Sequence, residues 1–169
     1  KNFAPVDVGI GLHWHHFDQP ILPPVIETPI NSAQVQKNKI IVYLPFEDQE
    51  QVMKLLSPFK EFEFFLFSPE EVIAPFSNIH CRPLSLLGFQ QNLADCVGII
   101  CNAGFELASE ALQLGKKILV KPVHAQMEQI SNAAALQALG YGKTMYTLDI
   151  KIIEQWLFES KAIQIIYPN

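Results

Sequence analysis

From Lys39 onward the chain alternates short, unbroken apolar runs with stretches in which apolar residues recur every three or four positions. The runs are IIVYL (40–44), EFEFFLF (61–67), VGIIC (97–101) and ILVKP (118–122), with a weaker one at 79–82. Short runs rich in β-branched and aromatic residues, apolar on both alternating sets, predict strands buried on both faces. Between them, Val52, Leu55 and Leu56 give helical spacing to segment 47–57, and 89–94 predicts a short helix. Further helices are predicted over 104–114 and about 127–139, with Gly115 and Gly140 as C-terminal stops. TMYTL (144–148) adds an edge strand, and Asp149 caps a last helix that buries Ile152, Ile153, Trp156 and Leu157. Strands and helices in this alternation predict an α/β fold: a Rossmann-like parallel sheet with helices on both faces, spanning 39–169.

Residues 1–38 have another texture. Pro5, Pro20, Pro23, Pro24 and Pro29 exclude a long helix, a short strand is expected at 6–12, and a polar run, NSAQVQKNK, leads into the first core strand. This segment reads as an interdomain arm packed on a neighbour. Its cluster His13-Trp14-His15-His16-Phe17-Asp18 would place His13 and His15 on one strand face. The run has no second ligand group at structural-metal spacing, so it predicts aromatic packing, not a metal site.

Composition narrows the classes. The chain has 169 residues, 49% of them hydrophobic and 17% charged, enough for one domain with a true core. A net charge of −5 gives no electrostatic basis for nucleic acid or an anionic membrane surface. The apolar runs are far too short to span a bilayer. Cys81, Cys96 and Cys101 lie in or beside apolar strands without metal-type spacing, and read as small buried hydrophobes in a reducing cytoplasm. The chain opens on Lys1, as a processed or excised segment does. There is no GxxxxGK[ST] phosphate loop, and no Ser-His-Asp or Cys-His arrangement follows from the spacings.

The densest chemistry lies in CNAGFELASEALQLGKKILVKPVHAQMEQISNAAALQALG (101–140). A strand runs into Asn102-Ala103-Gly104 and a helix, then a second strand, a polar loop and a second helix. Open α/β sheets bind ligands at such strand-to-helix crevices, and a Gly at a helix mouth lets backbone N–H groups approach a phosphate. On the first helix Phe105, Ala108, Ala111 and Leu112 form the apolar face, while Glu106 and Glu110 share the opposite face four residues apart. Gly104, then Glu110-Ala111-Leu112, then Glu128-Gln129-x-x-Asn132-Ala133 resembles the donor-nucleotide half of the GT-B glycosyltransferases. The likeness is to the UDP-glycosyltransferases and the peptidoglycan N-acetylglucosaminyltransferase. The arm GLHWHHFDQPILPPVI and the strand IIVYLPFE are similar to the linker and first C-terminal strand of a related bacterial and archaeal group.

That resemblance implies specific roles. Backbone groups of Ala103, Gly104 and Phe105 would receive the diphosphate, and the Glu110 carboxylate, an acceptor-only group, would take the ribose diol. Main-chain atoms near Leu84 would meet the uracil. Glu128 and Gln129, with His124 nearby, would bind hydroxyls of the donor sugar, while Asn132-Ala133 packs the helix. Asn102 stands where plant-type enzymes carry His, and Glu106-Leu107 where they carry Asn-Ser, so the phosphate contact falls to backbone N–H groups. No Gly-rich loop follows the first strand.

The implied function is hexose transfer from a UDP-sugar to an acceptor hydroxyl, with no metal and no cofactor beyond the donor. A missing N-terminal acceptor domain would supply the catalytic base, so no catalytic residue is assigned here and the fragment alone is expected to be inactive. The arm, deprived of its neighbour, would pair with a second copy as a homodimer. Two alternatives share these features: a non-catalytic nucleotide-sugar-binding subunit that docks with a separate acceptor subunit, and half of a nucleotide-sugar epimerase.

Overall fold

The computed structural model describes residues 9–26, 33–70 and 72–167. Strands β1 (Gly11–Leu12) and β2 (Ile21–Leu22) pair in parallel within the arm. The body follows as β3 (Lys39–Tyr43), α1 (Gln49–Leu56), β4 (Glu63–Ser68), β5 (Ile79–Pro83), α2 (Leu86–Asp95), β6 (Gly98–Cys101), α3 (Phe105–Gln113), β7 (Lys117–Val120), α4 (Met127–Ala138), β8 (Lys143–Thr144) and α5 (Ile150–Glu159). The expected elements are present. Their bounds shift by a few residues, most at the expected edge strand 144–148, of which only Thr144 lies in β8 (Lys143–Thr144), and then at α2, which starts at Leu86 because Ser85 caps it: the Ser85 side chain accepts from the Gly88 N–H. The strand expected at 6–12 falls partly outside the described residues, and its described end is β1.

All six body strands run parallel in the order β5-β4-β3-β6-β7-β8. From β3 the chain builds outward through β4 and β5, then returns to place β6 on the other flank of β3. The reversal lies between β3 and β6, and the crevice beyond their carboxyl ends is where doubly wound sheets receive ligands.

Strand alternation feeds two cores. Ile41, Ile99, Cys101, Ile118 and Val120 face α2, α3 and α4 through Leu93, Ala108, Ala111, Leu112, Ala133 and Leu136. Ile40, Val42, Phe64, Leu66, Ile100 and Leu119 face α1 and α5 through Val52, Met53, Leu56, Ile153, Trp156 and Leu157. Both stop glycines adopt the left-handed conformation the chain needs there, with φ 64° at Gly115 and 71° at Gly140.

Between His13 and Asp18 the backbone turns and forms no strand, with positive φ at Phe17 and Asp18. The expected shared face of His13 and His15 is therefore corrected: His13 packs edge-on to Trp14 and Phe17, and His15 stacks on His16. Trp14 is buried in the α3-side core. The chain end comes to the same helix: Gln164 Nε2 donates to the Gln113 carbonyl, Ile165 N to that of Leu112, and the Tyr167 hydroxyl to that of Ser109.

One smaller correction concerns a side chain. Cys96 and Cys101 are buried, but Cys81, on the edge strand β5, is only half-buried. On the neighbouring position of β5, the His80 ring lies 2.6 Å from Glu63 Oε2 and packs on Phe65, its cross-strand partner. No described helix is long and apolar enough to cross a membrane.

Candidate donor site at the carboxyl edge of the sheet

Five helices start near the carboxyl edge or follow it, and they start in two ways. Asp48, Ser85 and Asp149 cap α1, α2 and α5 through side-chain oxygens. Gly104 before α3 and Gln126 before α4 supply no side-chain cap. Uncapped first-turn N–H groups carry the positive end of the helix dipole and need partners from outside the helix. The two uncapped helices follow adjacent strands, β6 and β7, and pack on one face of the sheet.

Gly104 is not demanded by its own backbone, whose φ of −68° any residue adopts. A Cβ built there would meet no atom within 4 Å. The mouth of α3 is thus open to close approach. Ala103, fully buried, fixes the floor, and its carbonyl accepts from Asn132 Nδ2 at 3.0 Å. That bond ties α4 to the lead-in of α3, the packing role expected of Asn132.

The remaining candidates divide. Glu110 is half-buried on α3 and engaged within the fold. Glu106 is exposed in the first turn of α3. His124 and Glu128 are exposed at the entry of α4, beside Ala125 in a left-handed conformation with φ 61°. Gln129 is 8% exposed, and its Oε1 accepts from the Val123 N–H at 2.9 Å. Its carbonyl is thus spent on shaping the β7–α4 loop. Leu84 follows β5 with 47% exposure, next to Leu86 and Leu87 at 78% and 66%, an apolar lip at the far end of the edge.

Lys121 and Ser109 escaped the sequence reading, and Asn102 entered it only as a departure from the plant-type pattern. Lys121 Nζ lies 2.6 Å from Glu47 Oε1, with side chains only 11% and 15% exposed. The signal was a Lys inside the apolar run ILVKP. Asn102 donates through Nδ2 to the Lys121 carbonyl at 2.8 Å, while its buried Oδ1 has no hydrogen-bond partner among the described residues. Ser109, on the buried face of α3, accepts from Trp14 Nε1 at 2.7 Å and donates to the Phe105 carbonyl. Trp14 and His13 also pack on the Phe105 ring, so the arm braces the first turn of α3.

An open cleft of about 550 Å³ lies beside this edge, between the β3–α1 loop and the β4–β5 connection. Glu47, Asp48, Glu50 and Glu70 line it, a wall that repels anions. Another, of about 600 Å³, lies at the β8 edge. Neither is lined by Gly104, Glu110, Glu128 or Gln129. Among the described residues no group of three or more His, Cys, Asp or Glu side chains is placed to hold a metal ion.

Comparison with solved structures finds the same sheet and helices in glycosyltransferases. The glycotransferase of kitacinnamycin superposes with a TM-score of 0.63 at 13% identity, over 82% of this chain and 40% of that one. SnogD from Streptomyces nogalater gives 0.54 at 20% identity, over 83% and 42%. The UDP-GlcNAc 2-epimerase from Neisseria meningitidis, solved bound to UDP-GlcNAc, gives 0.50 at 20% identity, over 72% and 37%. This chain therefore spans about 40% of the length of the first structures it resembles. No curated protein sequence matches. The profile of glycosyl transferase family 1 matches residues 16–160, arm and body together. With that match over most of its length and a GT-B-like doubly wound fold, the chain belongs to glycosyl transferase family 1.

Proposed function

We propose that this chain is the donor-binding half of a glycosyltransferase that moves a hexose from a UDP-sugar to an acceptor hydroxyl. The observation that carries this is the pair of uncapped helix mouths on adjacent strands, α3 behind an unobstructed Gly104 and α4 behind the Val123–Gln126 loop. A diphosphate at α3 is met by N–H groups and the dipole, and the same groups stabilise it as it departs from the sugar. Ala103, Gly104 and Phe105 form that subsite. Glu110 takes the ribose hydroxyls, main chain near Leu84 takes the uracil, and Glu128, His124 and the Gln129 amide nitrogen orient the sugar.

The acceptor and the base that deprotonates it belong to a second domain outside these 169 residues. That domain docks against the arm and the carboxyl edge of the sheet. In its absence the exposed apolar residues of the arm, Ile10, Leu12, Phe17 and Leu22, pair two copies of the chain. The whole enzyme works in the cytoplasm, where nucleotide sugars are made.

Isothermal calorimetry with UDP tests the assignment. Wild type binds weakly, and Glu110→Ala weakens binding about tenfold, the worth of one charge-assisted hydrogen bond. Equal heats for both proteins remove Glu110 from the ribose. The likeness to an epimerase supports a second reading, half of a nucleotide-sugar epimerase. Turnover of a UDP-sugar with no acceptor by the complete protein selects it.

A further inference from the structure

The loops on either side of β6 hold a charge pair that the donor assignments leave unused. β6 lies between β3 and β7 in the sheet. Glu47 is in the loop after β3, and Lys121 follows β7, so their 2.6 Å ion pair spans the end of β6 at the switch point. Both side chains are largely withdrawn from solvent. The backbone of Lys121 is fastened to the run-in of α3: its N–H donates to the Cys101 carbonyl at 2.8 Å, and its carbonyl accepts from Asn102 Nδ2 at 2.8 Å. The second bond fixes the orientation of the Asn102 amide. Its other end, Oδ1, is then a buried acceptor without a donor, on a residue only 7% exposed and two positions before Gly104.

These groups complement what α3 lacks. Its first turn offers amides but also carries Glu106, and the loops 44–48, 102–104 and 121–126 contain one Lys or Arg, which is Lys121. Resting on the donor assignment above, we propose that Lys121 is the cation of the diphosphate subsite, held by Glu47 until a nucleoside diphosphate enters and takes over the ammonium. Asn102 Oδ1 accepts a hydroxyl of the same ligand. A buried ammonium that trades one anion for another is never left unpaired, so the exchange avoids the large penalty of an isolated charge. Glu47, on a loop beside an open cleft, turns to solvent. Glu47 thereby competes with the ligand, and the two residues have opposite effects on affinity.

Calorimetry on the 169-residue chain with three probes, UDP, inorganic pyrophosphate and uridine, reads this directly. Lys121→Met weakens UDP and pyrophosphate about tenfold or more and leaves uridine unchanged. Lys121→Arg retains most of the binding, and Glu47→Gln tightens UDP and pyrophosphate several-fold. The double variant Lys121→Met/Glu47→Gln removes both charges, so it carries the test if either single variant fails to fold by circular dichroism. UDP and pyrophosphate affinities equal to wild type in a folded Lys121→Met, or in the double variant equal to those of Glu47→Gln, overturn the proposal. If Glu110→Ala weakens UDP in that case, the donor assignment survives alone. Pyrophosphate binding that depends on Lys121, with UDP no tighter and indifferent to Glu110→Ala, leaves the subsite and removes the nucleotide. A wild-type chain that binds neither overturns both.

Discussion

At the scale of single residues, burial governs three titratable groups. It pushes the Cys96 thiol up to about 11, although Lys116 opposes it, and the Cys101 thiol up to about 12. The Tyr167 phenol rises to about 12 for the same reason, partly offset by the Ser109 side chain. In the unfolded chain these groups ionise near their ordinary values, 9.0 for the thiols and 10.0 for the phenol. Between those values and the folded ones the unfolded chain binds fewer protons, so stability falls as pH rises. Urea unfolding midpoints should therefore hold level up to pH 9 as far as these groups go, and drop steadily from there toward pH 12. Thiol labelling of the native chain at pH 8 should modify Cys81 first, because it alone of the three is not buried. The sequence disclosed the buried pair through their apolar neighbours. It could not disclose Ser109, because a serine on a helix gives no sign of whether it meets solvent or an indole 95 positions away in the chain; only the arm's return to α3 decides that.

Elements were the most legible scale, and local chemistry explains why. Unbroken apolar runs are stable only as strands covered on both faces, and capping residues announce helices without reference to the rest of the fold. Asp149 is an instance: its carboxylate accepts from the N–H groups of Lys151 and Ile152, as its place before α5 implied. Asp149→Ala should cost about 1 kcal/mol in chemical denaturation. Gly98 makes the opposite point. Its role is invisible locally, yet a Cβ there would sit 3.1 Å from the Lys117 backbone oxygen and from the Trp156 ring. Gly98→Ala should therefore lower stability by about 1–3 kcal/mol through overpacking at the β6–β7–α5 contact, a loss that circular dichroism melts would register. The Lys121–Glu47 pair belongs to this class too. Its members lie 74 positions apart and meet only because β6 is inserted between β3 and β7.

For the whole molecule, α3 is the member on which the separate parts converge. Its first turn faces the open crevice, and its buried side joins the core under Ala108, Ala111 and Leu112 and receives both Trp14 and Tyr167 at Ser109. Trp14→Ala should cost about 3 kcal/mol by emptying a buried indole site. If the arm also steadies the mouth of α3 through Phe105, UDP should bind this variant more weakly at temperatures where it remains folded. Because Trp14 and Tyr167, the first and last buried aromatics among the described residues, meet at one serine, α3 is gripped at mid-length from both directions along the chain. Any body fused beyond either end would apply its leverage there, and a swing of that body would be felt as torque on the helix that fronts the crevice.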